Sequence, residues 1–205
     1  MKSFRFGWAF LAILVLWIAI LDLLMLAVGY SIGLQHLTRE EGPLEVLQLV
    51  LLAVAALAFA AAIPRATGAA QLIASGAASL SLMFFFREFE TPVDNPVLDF
   101  MSHDSFLYLL FAALGAFMLT QAYRNRIHIP AFFGWLIRIE FWPFLLGGTL
   151  LVAAEVFEQF HLQSVEEFLE IDGHFVIAAT AIAAWYRAAG VPKLSHIGTR
   201  TLSPQ

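Results

Sequence analysis

Cysteine is absent from the 205 residues. Its absence excludes disulfides, iron–sulfur clusters, thiolate zinc sites and cysteine nucleophiles. Charge is scarce too: Asp, Glu, Lys and Arg make up 13% of the chain, about half the usual share for a soluble domain. The 11 basic residues form no basic patch, so nucleic acid is not expected as a partner. Internal repeats and low-complexity stretches are lacking as well, and one integral membrane domain over residues 1–205 is expected.

What the chain has in excess is apolar surface. Hydrophobic residues make up 60% of it, including 20 Phe and 5 Trp, and the mean hydropathy is +0.80. A single small core cannot hide that much apolar surface from water, so lipid must be the solvent. A spanning helix needs about 20 mostly apolar residues. Six segments qualify: Phe6 to Gly29, Pro43 to Ile63, Gly68 to Phe86, Ser105 to Tyr123, Phe141 to Phe160 and Val165 to Tyr186. The fold expected is therefore an all-α, polytopic membrane bundle. Pro64, Pro92, Pro96, Pro130 and Pro192 fall between the runs, and Pro143 sits in a first turn, where proline is favoured. The first run is too long for the apolar region of a signal peptide, so a retained helix is expected. Ile129 to Leu136 is expected to form a short interfacial segment.

Basic residues set orientation. With six spans, nine of them share the side of the termini: Lys2, Arg5, Arg65, Arg124, Arg126, Arg138, Arg187, Lys193 and Arg200. Only Arg39 and Arg87 lie opposite, so both termini are expected in the cytoplasm of a multi-pass protein of the inner (plasma) membrane. Acids segregate the other way. Apart from Asp22, inside the first helix, and cytoplasmic Glu140, the remaining fourteen fall at outer helix ends or in outer loops. Topology does not require this, because Asp and Glu contribute little to orientation.

The outer ends of the last two helices carry the densest set. Glu155, Glu158 and His161 cover a face about 120° wide, while Glu166, Glu167, Glu170 and His174 fill an arc of roughly 100°, with Asp172 pointing away. Across the hairpin Glu155 and Glu170 should lie at similar depth, and His174 about 15 Å below the start of its helix. Ionisable groups inside a membrane are costly and mark functional sites by default; the bland alternative is structural pairing between helices. Glu166 and Glu167 also suit a solvated first turn.

Three further groups stand nearby. Glu41, Glu45 and Gln48 form a stripe on the second helix. Thr38 with Glu41 fits a capping box there, unless Gly42-Pro43 marks the start. Arg87 ends the third helix and could orient an anionic headgroup or simply snorkel. The run Ser102-His103-Asp104 is no catalytic triad, since triads are assembled in space. Ser102 is expected to cap the fourth helix, and His103 is a candidate ligand or base. Asp22 either joins the cluster from the first helix or hydrogen-bonds structurally.

Carboxylates and imidazoles can hold a divalent metal without cysteine. Glu45, Glu158, His161 and His174 are the candidate ligands, with Glu155, Glu170 and Arg87 as catalytic candidates. Glu158-x-x-His161 resembles the Glu-x-x-His element of di-iron carboxylate proteins over four residues. The second such element of that pattern is missing, because Glu170 and His174 are four apart. The expected function is a metal-dependent membrane hydrolase or lipid-modifying enzyme, with membrane lipid and a lipid or anionic substrate as partners. The alternatives are a cation, proton or metal transporter, a non-catalytic subunit docking a basic partner, and a di-metal oxidoreductase. An almost purely apolar cytoplasmic half argues against a pathway through the membrane.

Overall fold

A computed structural model describes residues 6–38, 42–89, 100–101, 103–125 and 141–189. Outside them lie Lys2, Arg5, Arg39, Glu41, Ser102, Arg126, Arg138, Glu140, Lys193 and Arg200, the expected interfacial segment, and residues 90–99. The described residues form α1 (Trp8–Ile32), α2 (Leu34–Leu37), α3 (Pro43–Ala62), a 3-10 turn (Ile63–Arg65), α4 (Ala69–Arg87), α5 (Asp104–Arg124), α6 (Trp142–Gln159) and α7 (Gln163–Ala188). The fold is all-helical. Five stretches are long and apolar enough to cross a membrane: α1, α3 with its 3-10 turn, α4, α5 and α7.

Local chemistry explains the helix ends. α3 opens with Gly42 as its N-cap and Pro43 in its first turn, with no side-chain cap. Thr38 is therefore not the N-cap of α3; its hydroxyl donates to the Leu34 carbonyl at 3.1 Å and lies 3.4 Å from the Ser164 hydroxyl. α6 likewise starts with a proline in its first turn. His103 caps α5, its Nδ1 accepting from the Ser105 amide at 3.2 Å. Gly33 ends α1 at φ +94°, a backbone angle that a Cβ strongly disfavours. The α6–α7 hairpin closes through His161, the one non-glycine among the described residues with positive φ, at 57°. Its amide donates to the Glu158 carbonyl at 2.8 Å.

α7 is the spine of the bundle. It packs along α6 and α3; α4 lies against α3, α5 against α4, and α1 touches α7 lightly. Within α5 only Gln121 is buried, and within α1 only Leu14, Met25 and Gly29. Their remaining surfaces expose Trp17, Leu24, Leu109, Phe111 and Leu119, which suits lipid and not water. Lipid tails are as apolar as leucine, so burial between helices gains little by desolvation; close van der Waals packing of small residues takes over. The core shows it. Ala55, Ala62, Ala70, Ala74, Ala178, Ala181 and Ala184 surround Phe59 where α3, α4 and α7 meet.

The tightest approach joins α6 to α7. A Cβ on Gly173 would sit 2.8 Å from the Leu151 side chain and 3.2 Å from the Gly147 carbonyl oxygen. A Cβ on Gly147 would meet Ile177 at 3.0 Å and the Gly173 oxygen at 3.3 Å. At the opposite end, the Trp142 indole N–H donates to the Phe6 carbonyl at 3.0 Å, and the Arg187 guanidinium lies 4.6 Å from the Phe6 ring centre. Those contacts tie the start of α1 to α6 and α7.

Candidate functional site

The C-terminal ends of α4 and α6 and the N-terminal half of α7 border a polar pocket of about 280 Å³. Its charged and polar lining is Arg87 and Glu88 at the end of α4, Glu155 on α6, and Glu170 and His174 on α7. Each arrives by simple helical geometry. Glu170 and His174 are one turn apart on α7. Glu155 stands opposite because the short hairpin reverses the chain, and the glycine contact holds α6 close at that level. Arg87 and Glu88 come from the last turn of α4, with Arg87 Nε 3.6 Å from Glu88 Oε1. Phe84, Leu151 and Val152 make the inner wall.

The lining differs in freedom. Glu170 is held from behind by Gln48 of α3, which is only 2% exposed. Its amide donates to Glu170 Oε2 at 2.8 Å and to Glu167 Oε2 at 3.3 Å. His174 is 5% exposed, and its Nδ1 has no hydrogen-bond partner among the described residues. A buried donor or acceptor left without a partner costs about 1–3 kcal/mol. Glu155 and Arg87 are exposed at the rim.

No protein-family model, curated protein or solved structure matches this chain.

The site's own chemistry therefore carries the functional reading. Arg87, Glu155, Glu170 and His174, all singled out from the sequence, share one pocket. The other candidates lie around it. Glu45 is half-buried in the first turn of α3, near enough to Glu167 for their charges to interact. Glu158 is exposed and acts electrostatically on Glu166. His161 is exposed in the hairpin turn, and eleven residues of helical rise, about 16 Å, separate Gln163 from His174. Among the described residues, no three His, Asp or Glu side chains converge where an ion could sit. No chemical step is derived through a metal.

Asp22 is not among the residues that line the pocket. Its Oδ1 is buried without a hydrogen-bond partner among the described residues, and its charge acts on Asp172, which does not line the pocket either. Two features escaped sequence reasoning. Gln48 was noted only as part of a stripe, although a buried amide inside an apolar run signals an interhelical partner. Glu88 was overshadowed by Arg87.

Behind the inner wall lies an apolar cavity of about 570 Å³, bounded by α3 to α7. Phe84, Leu151 and Val152 line both spaces. No sequence signal announces such a void, because the cavity is defined by where the helices diverge.

Proposed function

We propose that this chain is a membrane enzyme that hydrolyses or otherwise modifies a lipid in the pocket of Arg87, Glu155, Glu170 and His174. The observation that carries the reading is the shared wall: groups fit for acid–base work abut an apolar space of lipid-tail character. In this reading α6, 18 residues long and paired with α7, is a sixth span. Both termini are then cytoplasmic and the pocket opens on the outer face of the inner (plasma) membrane, in keeping with the bias of basic residues.

The chemistry is that of a general base and an electrostatic clamp. Glu155 or Glu170 takes a proton from water as its oxygen attacks an ester carbon or phosphorus. The bond to the leaving oxygen breaks, and that oxygen takes a proton from the protonated partner across the pocket. Arg87 offsets the negative charge gathered on the reacting group. Purified protein in detergent, with no gradient, should turn over a membrane lipid. Glu155→Gln and Glu170→Gln should each slow it by about 10²–10⁴-fold if they move the proton. Unchanged turnover in both variants refutes the assignment. Elemental analysis of the same preparation decides the metal dependence expected from the sequence.

A second reading has one specific observation behind it. Among the described residues, Asp22, Asp172 and His174 each keep a buried atom without a hydrogen-bond partner, within helices long and apolar enough to cross a membrane, as groups on a cation or proton route do. Flux in proteoliposomes that Asp172→Asn stops, without lipid turnover, favours transport over catalysis.

A further inference from the structure

The polar pocket and the apolar cavity adjoin at Phe84, Leu151 and Val152 and follow one another along the helices. From the shared wall, the cavity follows α4 from Phe84 back to Ile73 and α6 from Leu151 back to Phe144. Those eleven and seven residues correspond to roughly 16 Å and 10 Å of depth. The cavity therefore runs from the charged end toward the middle of the membrane, along the direction of a lipid tail.

It also has a side door. Val152 and Leu80 line it yet are 67% and 55% exposed. Among the described residues α4 and α6 are not a closely packed pair, so the space between them opens onto lipid. Counting about 30 Å³ for a group the size of a water, a 570 Å³ cavity accepts one acyl chain and not two.

The charged end selects the headgroup. Three carboxylates (Glu88, Glu155 and Glu170) and one guanidinium line it, and Glu166 and Glu167 add to the negative field around Glu170. This acidic cluster is joined by His174, which is 95% buried, lines the pocket and keeps an Nδ1 without a partner among the described residues. An ammonium group is complementary in charge to these carboxylates, and a phosphate beside it to Arg87.

We propose that the site takes a phospholipid with a primary amine in its headgroup, one acyl chain entering sideways between α4 and α6 to fill the cavity. The proposal rests on the pocket being a lipid site and names the substrate class for it. Gly148 supplies a clean test, since it lines the cavity and an added Cβ there meets nothing within 4 Å. Gly148→Phe should plug the tail space, while Gly148→Ala should leave it open.

The experiment is native mass spectrometry of the full chain in detergent, titrated with lysophosphatidylethanolamine, lysophosphatidylcholine and lysophosphatidylglycerol. Wild type and Gly148→Ala should bind the ethanolamine lipid at least tenfold more tightly than the other two. Gly148→Phe should lose binding of all three by tenfold or more, with a melting temperature close to that of wild type. Glu155→Gln with Glu170→Gln should keep tail binding and lose the headgroup preference. Equal affinity for the three headgroups overturns the amine assignment, and undiminished binding to Gly148→Phe overturns the cavity as the tail site. Selective binding without turnover of any lipid leaves the proposal standing and removes the enzymatic reading. Turnover of a lipid that ignores the Gly148→Phe plug does the reverse.

Discussion

Replacing Gly173 by alanine should pry α6 from α7 and loosen the pocket between them. Two opposed effects set the magnitude. Alanine favours a helix interior over glycine by about 0.8–1 kcal/mol. Against it, the new methyl would stand 2.8 Å from Leu151 carbons and 3.2 Å from the Gly147 carbonyl oxygen. Leu151 can rotate, but the backbone oxygen moves only if the helix moves. Overpacking of that kind costs about 1–3 kcal/mol. Gly148→Ala, next to the same interface and meeting nothing within 4 Å, isolates the helix-propensity gain. Gly173→Ala should therefore be less stable than Gly148→Ala by roughly 1–3 kcal/mol, measured as reversible unfolding in mixed detergent micelles. Lipid turnover should fall as well, since Glu155 and His174 lie on opposite sides of that contact. Equal stability of the two variants would refute the claim that glycine proximity sets the width of the site.

Other expectations are simpler. Gln48→Ala removes the amide that bonds Glu170 and Glu167; each interhelical bond lost should cost about 0.6–1.7 kcal/mol in the same unfolding assay, and turnover should drop through misplacement of Glu170. His161→Gly should be neutral or stabilising by up to about 1 kcal/mol, because His161 occupies φ +57°, where glycine carries no Cβ penalty. A loss of activity in that variant would contradict its assignment as a turn residue. Trp142→Phe should lose about 0.5–1.5 kcal/mol with the indole bond to Phe6, and should speed proteolysis at the start of α1. Chelation with EDTA should leave lipid binding unchanged, since no described cluster gathers three metal-ligating groups; restored binding on adding zinc to a chelated, inactive sample would contradict that.

Hydropathy made the helices legible before any coordinates. α3 starts at Pro43 because proline and the preceding glycine leave no better first turn. The polar pocket was partly legible too: Glu155 and Glu170 follow from helical rise and a short hairpin. What could not be read was distance between helices that are remote in sequence. Arg87 and Glu88 reach the same pocket only because α4 packs on α3 and α3 on α7. Asp22 looked free to join the outer cluster, yet the rotation of α1 and α7 sets it beside Asp172. His161 and His174 share composition and proximity in sequence, and a helix axis separates them. Gln48 became informative only once Glu170 was seen across the interface.

The most direct measurement uses the cysteine-free background. Val156 lines the polar pocket and is 45% exposed, so Val156→Cys reports on the site without removing a charge. Intact spheroplasts are treated with a membrane-impermeant maleimide, with and without saturating lysophosphatidylethanolamine. The expected result is labelling from outside that the lipid slows at least tenfold, with no protection once Gly148→Phe is added. Labelling only after permeabilisation, or at the same rate with and without lipid, contradicts an outward-facing lipid site.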